Sequence, residues 1–185
     1  PRTSAGERAA LATLLGRTGA PRAAAELTGL VASKDAVLRL AAIDALGALG
    51  ADSAQSKAGD DALVPLLVDA DPAIRLHAAI ALASSGGANA RSALVASLDG
   101  GDEIDRYAVL AALGGILERN PDDLTTARLF QALDLAAGPE RDALIEAAGR
   151  ARLPSVMSAL GALVAKGGVD DRRMIAAVIA SHRGS

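Results

Sequence analysis

Cysteine and tryptophan are both absent from the chain. The first absence excludes a disulfide framework and any thiolate-bound metal. The second leaves Tyr107 and Phe130 as the aromatic residues, too few to stack nucleobases along a groove. Lysine is scarce, with Lys34, Lys57 and Lys166 set against sixteen arginines. Together with the abundance of alanine, this bias suggests a bacterial genome of high GC content. No apolar run approaches the ~18 residues of a membrane span. No charged start leads into an apolar segment, so no signal peptide is visible and the cytoplasm is favoured. The formal net charge is −3, with both signs interspersed, so no broad positive field attracts a phosphate backbone. His77 and His182 fall about three repeats apart, too far to share a metal, and no carboxylate or second histidine stands at ligand spacing from His77. No metal, cofactor, nucleic acid or membrane is therefore expected.

What is present is alanine, leucine, valine and isoleucine, which make up most of the 51% hydrophobic content. Alanine and leucine form helices readily, and small side chains let helices approach closely. Against this background an arginine is followed eight residues later by glycine: Arg8/Gly16, Arg39/Gly47, Arg106/Gly114 and Arg141/Gly149. Arg75 has Ala83 in the glycine slot, and Arg173 has Ser181. A second glycine stands eleven residues after the arginine at Gly19, Gly50 and Gly86, and Gly184 takes that place after Arg173. The arginines lie 31, 36, 31, 35 and 32 residues apart. A period in the low thirties marks stacked helix pairs.

Each arginine falls within a helix, here called B. Ser4, Asp35, Asp71 and Asp102 precede their arginines by four residues and suit N-cap positions. Pro72 suits the first helical turn, and Gly50 and Gly86 suit left-handed C-terminal caps. Before each B helix lies an amphipathic A stretch: Pro21–Ala32, Asp60–Val68, Ala88–Leu98, Pro121–Leu135 and Leu153–Lys166. Short turns between them predict antiparallel hairpins. The polar stretch Gly50–Gly59 is expected to be the longest loop. The chain opens on Pro1 and on a B helix without its A helix, which suggests a piece of a longer protein.

On a helical wheel the positions −1, +3, +7 and +10 from the arginine share one side and are expected to face helix A. They include Leu38, Ala42, Leu46 and Leu49 in one copy and Ile74, Ala78 and Leu82 in the next. The glycine at +8 lies on a flank, where a missing side chain lets the next repeat approach. Positions +1 and +5 point away from the core side.

These copies resemble HEAT-like repeats of the phycobilisome-lyase type. The carrying segments are Leu63–Asp69 followed by Asp71-Pro-Ala-Ile-Arg75, and Arg39 through Ala45-Leu46-Gly47-Ala48-Leu49-Gly50. Asp105 and Glu140 depart from the pattern, which has an apolar residue before the arginine. The resemblance implies an all-α right-handed solenoid of about five helical hairpins in one domain, 1–185. Its repeats would be 1–19 (partial), 20–50, 60–86, 88–118, 121–151 and 153–185. It also implies that the arginines, Arg8, Arg39, Arg75, Arg106 and Arg141 among them, and glycines such as Gly47 and Gly114, are structural.

The acidic clusters, such as Asp60-Asp61 and Asp170-Asp171, fall at turns or helix starts and are expected to cap. The outward positions are the candidate site: Leu40, Asp44, Leu76, Ile80, Tyr107 and Met174. A row of partly apolar side chains facing away from a core marks an interaction surface. The resemblance puts the B helices on the concave side. The reading is therefore a protein-interaction scaffold that is not an enzyme, binding a protein partner or another domain of its parent protein. The alternatives are a bilin or prosthetic-group lyase and a regulatory segment packing on a catalytic domain.

Overall fold

The computed structural model describes residues 4–19, 22–49, 54–100 and 103–183. Among these are eleven α-helices, one 3-10 segment and no strand. The first six are α1 (Ala5–Thr18), α2 (Ala23–Val31), α3 (Ala36–Gly47), α4 (Ala54–Leu63), α5 (Pro72–Ser85) and α6 (Ala88–Ser97). The rest are α7 (Glu103–Arg119), α8 (Asp123–Leu133), α9 (Gly138–Gly149), α10 (Pro154–Lys166) and α11 (Val169–Arg183). A 3-10 segment, Val64–Val68, follows α4. The odd-numbered helices are the B helices, and the even-numbered helices are the A helices.

The chain forms two compact units, 1–108 and 109–185, divided within α7. In the first unit α1, α3 and α5 lie side by side in chain order, with α2, α4 and α6 ranged against them. In the second, α8 and α10 pack on α9, and α9 packs on α11. Each core is built from the expected side of the B helices. Leu38, Ala42 and Leu46 are buried, as are Ile74, Ala78 and Leu82, and Leu49 is half-buried.

Helix starts follow the polar residues. Asp35 accepts from the backbone N–H groups of Val37 and Leu38, and Asp71 accepts from Ala73 ahead of Pro72. Ser4 and Glu7 form a reciprocal capping box on α1. Such caps contribute about 1 kcal/mol each. Gly86 ends α5 at φ 64°, a left-handed cap. Asp102, Gly50 and Gly184 lie outside the described residues.

Three details differ from the sequence reading. The expected loop Gly50–Gly59 is helical from Ala54 onward. Buried Gly59 explains this, because it lies under Leu46 of α3 and gives a polar stretch a tertiary anchor. Pro65, which has no N–H for an α-helical bond, coincides with the change to the tighter 3-10 form.

Asp60 and Asp61 sit in the last turns of α4 and not at its start. Asp60 is 2% exposed and caps the next A helix in trans. The N-cap of α6 is Gly87, which has no side chain to cap with. Asp60 instead accepts from the Ala90 backbone N–H and from the Ser85 hydroxyl, the latter at 2.5 Å. Its Oδ2 fills the space that a Cβ on Gly87 would need.

Burial pushes the Asp60 carboxyl above its ordinary value, outweighing these bonds. A raised carboxyl contributes stability below its unfolded value and loses it as pH rises through the folded one. Asp60→Asn is therefore expected to stabilise the fold at pH 7 by roughly 1 kcal/mol, the scale of one buried hydrogen bond. The amide oxygen would accept from Ala90 and the amide nitrogen would donate to Ser85. Denaturant titrations at pH 7 and pH 3 check this. The variant and the parent should converge in acid.

The third difference is a one-residue register shift in the last repeat. The Nε of Arg39 donates to the carbonyl of Val31, eight residues back, and the Nη1 of Arg141 donates to the carbonyl of Leu133, also eight back. In α11 the residue that does this is Arg172, bonded to Val164, and not Arg173. Met174 therefore moves from position +1 to +2, and the glycine slot moves from Ser181 to Ala180.

Candidate functional site

The +8 glycines set how closely the B helices approach. A methyl group on Gly16 would lie 2.7 Å from the Cα of Ala45, and one on Gly47 would lie 2.7 Å from the Cα of Ala81. Ala45 and Ala81 each occupy position +6 of the following repeat. In the second unit a Cβ on Gly114 would meet the Cα of Ala147 at 3.3 Å, again at +6. Gly149 faces Val178, which is position +6 once Arg172 is taken as the reference. The junction thus recurs as glycine on a small or β-branched residue.

The arginines bridge the same junctions at the helix starts. Arg39 donates to Asp69 at 2.5 Å, Arg75 to Asp105 at 2.6 Å, and Arg141 to both oxygens of Asp171 at 2.8 and 3.1 Å. Each partner lies 30 residues downstream. Asp105, unexpected before Arg106, is the acceptor for Arg75. Arg8 is exposed, and Arg106 is half-buried. The backbone N–H of Asp71 and the guanidinium of Arg39 hold Asp69 below its ordinary carboxyl value. The Arg141 guanidinium does the same to Asp171, and Asp171 in turn raises Arg141.

With the B helices fixed at this spacing, the outward positions of the first unit form a row. Leu76 and Ile80, one turn apart on α5, are 40% and 51% exposed. Leu40 on α3 and Tyr107 on α7 are half-buried, and Asp44 is exposed. The Asp44 carboxylate lies 2.7 Å from Nδ1 of His77, joining α3 to α5. No carboxylate stands at ligand spacing from His77 in the sequence, and this one reaches it from another helix. The two are 33 residues apart and meet only through stacking. Met174 belongs to the second unit and is half-buried. Other exposed apolar side chains, including Val68, Leu124 and Leu135, stand singly at turns and helix ends, while Leu11 and Leu14 form a further pair on α1. No group of three or more metal-ligating side chains occurs among the described residues, and no helix there is long and apolar enough to cross a membrane.

No family model matches the chain, and no curated protein matches it in sequence. Solved structures do share the fold. Human deoxyhypusine hydroxylase matches with a TM-score of 0.53 and 20% identity, over 98% of this chain and 81% of that one. The CpcE–CpcF complex of phycocyanin lyase from Nostoc sp. PCC7120 matches with a TM-score of 0.56 and 22% identity, over 95% and 75%. An engineered protein matches with a TM-score of 0.56 and 18% identity, over 98% and 92%. At these identities the likeness is one of fold, an all-α HEAT-like helical solenoid. It also corrects one expectation. The chain was expected not to be an enzyme, yet this fold is found in a protein named as a hydroxylase and in one named as a lyase. A helical repeat without an evident catalytic motif is thus no argument against catalysis.

Proposed function

We propose that the chain is a protein-interaction module of the phycobilisome-lyase-type HEAT-like class. Its contact row is Leu40, Asp44, Leu76, Ile80 and Tyr107. The observation that carries this reading is the exposure of Leu76 and Ile80 together, one turn apart on a B helix. The row suits the apolar face of an amphipathic helix laid across α3 and α5. Asp44 at its edge would favour a basic flank on that helix. The CpcE–CpcF structure contains two different proteins in one complex, so in that neighbour the fold does hold a protein partner.

A photo-crosslinking residue at position 76 or 80 should capture a partner polypeptide, and the same residue at Leu124 should not. Leu76→Asp with Ile80→Asp should abolish capture from position 40 and leave circular dichroism unchanged, because exposed substitutions shift stability by about 0.5 kcal/mol or less. Lost helicity, or equal capture from Leu124, would contradict the reading.

A second reading rests on the fold shared with phycocyanin lyase. It makes the chain part of a bilin or prosthetic-group lyase. Bilin colour that stays with the acceptor protein after denaturation and removal of free bilin, above a control without this chain, would support it, and a colourless acceptor would count against it.

A further inference from the structure

Position +11 after the repeat arginine holds Gly19, Gly50 and Gly86 in the first three copies, but Arg152 in the fifth. The backbone keeps its left-handed form despite the change, with φ 57° at Gly19, 64° at Gly86 and 51° at Arg152. Glycine adopts this conformation freely, whereas an L side chain is disfavoured there. Arg22 also takes a left-handed form, at φ 78°; what sets Arg152 apart is that its strained position opens on a cavity, and backbone strain clusters at ligand sites.

Arg152 lines a cavity of about 370 Å3 in the second unit, formed by the C-terminal ends of α7, α9 and α11. Glu118, Glu146, Arg150, Ser181 and His182 line it as well. Arg150 is already engaged, with one guanidinium nitrogen 2.7 Å from Glu146 and another 3.9 Å from Glu118. One arginine between two glutamates leaves a net negative charge, which Arg152 balances. The cavity thus offers a cation at Arg152 and a loosely held carboxylate at Glu118. Ser181 donates to the carbonyl of Val178 at 2.7 Å, which leaves its oxygen able to accept. The volume lies within the range of small-molecule sites, and the mixed charge disfavours a simple anion or a simple cation.

We propose that this cavity binds a small zwitterion of the amino-acid type, with its carboxylate on Arg152 and its ammonium on Glu118. Neither group belongs to the proposed contact row, so this inference is independent of that reading.

The test is calorimetric titration of the whole chain with each of the twenty free L-amino acids, with acetate and methylamine as single-charge controls. At least one amino acid should bind with a Kd well below those of both controls. Arg152→Gly and Glu118→Gln should each weaken it at least about tenfold, the scale of one charge-assisted bond. Arg152→Gly should also raise the melting temperature, because the left-handed position becomes unstrained. Binding lost from a more stable protein separates a ligand role from a folding role. The proposal is overturned if no amino acid binds, if acetate or methylamine binds as tightly, if Arg152→Gly binds like the parent, or if that variant melts lower.

Discussion

Gly47→Ala is expected to destabilise the first unit by about 2 kcal/mol, although alanine is the better helix former. Helix propensity alone favours the substitution by about 1 kcal/mol. The added methyl, however, would lie 2.7 Å from the Cα of Ala81, 2.9 Å from its Cβ and 2.9 Å from its carbonyl oxygen. Two of those atoms are backbone, so no rotamer change relieves the contact and α3 must move away from α5. Overpacking of this kind costs about 1–3 kcal/mol, and rigid neighbours place it at the upper end. Gly29→Ala is the matched control. Gly29 lies in α2 with nothing within 4 Å of an added Cβ. That variant should gain about 0.5–1 kcal/mol. Opposite signs for the same chemical change, read by urea denaturation, would isolate the junction from helix propensity.

Arg141→Ala is expected to cost about 2 kcal/mol at pH 7. The substitution removes the bond to the Leu133 carbonyl and both bonds to Asp171, which is 9% exposed. Stranding a buried charge costs about 3–5 kcal/mol, and the partial exposure of this pair reduces that figure. The pH dependence carries a sign. Arg141 holds the folded Asp171 carboxyl below its ordinary value. Its contribution is therefore complete above the unfolded carboxyl value, near ~4, and is lost as pH falls through the folded value. The deficit of the variant should be largest at neutral pH and should shrink in acid. Asp69 is lowered in part by Arg39 in the other unit, so part of the acid sensitivity should survive. A deficit that is constant from pH 7 to pH 3 would mean that the pair contributes through packing alone.

Much of the fold is legible in the sequence because stacking imposes a strict local demand. Where two B helices touch there is room for a glycine and a small partner, so Gly16, Gly47 and Gly114 recur at one offset. The last repeat was harder to read for the same reason. No glycine marks its slot, and Arg172 and Arg173 are neighbours that only the bond to Val164 distinguishes. The Asp44–His77 contact and the Asp60–Ser85 bond join residues 33 and 25 positions apart, and no local pattern encodes such encounters. The helix at Ala54 was hidden by polar composition, because its anchor is Leu46 of another helix. The Arg152 cavity has one trace in the sequence, an arginine at position +11 where the first three copies have glycine.

The most direct measurement is a nuclear Overhauser spectrum of the protein with alanine methyl groups labelled. Hairpins stacked in chain order should give strong cross-peaks from the Gly16 Hα to the Ala45 methyl, from Gly47 to Ala81 and from Gly114 to Ala147. Absence of these peaks, with the same glycines instead close to methyl groups of helices that are not their neighbours in order, would contradict the account.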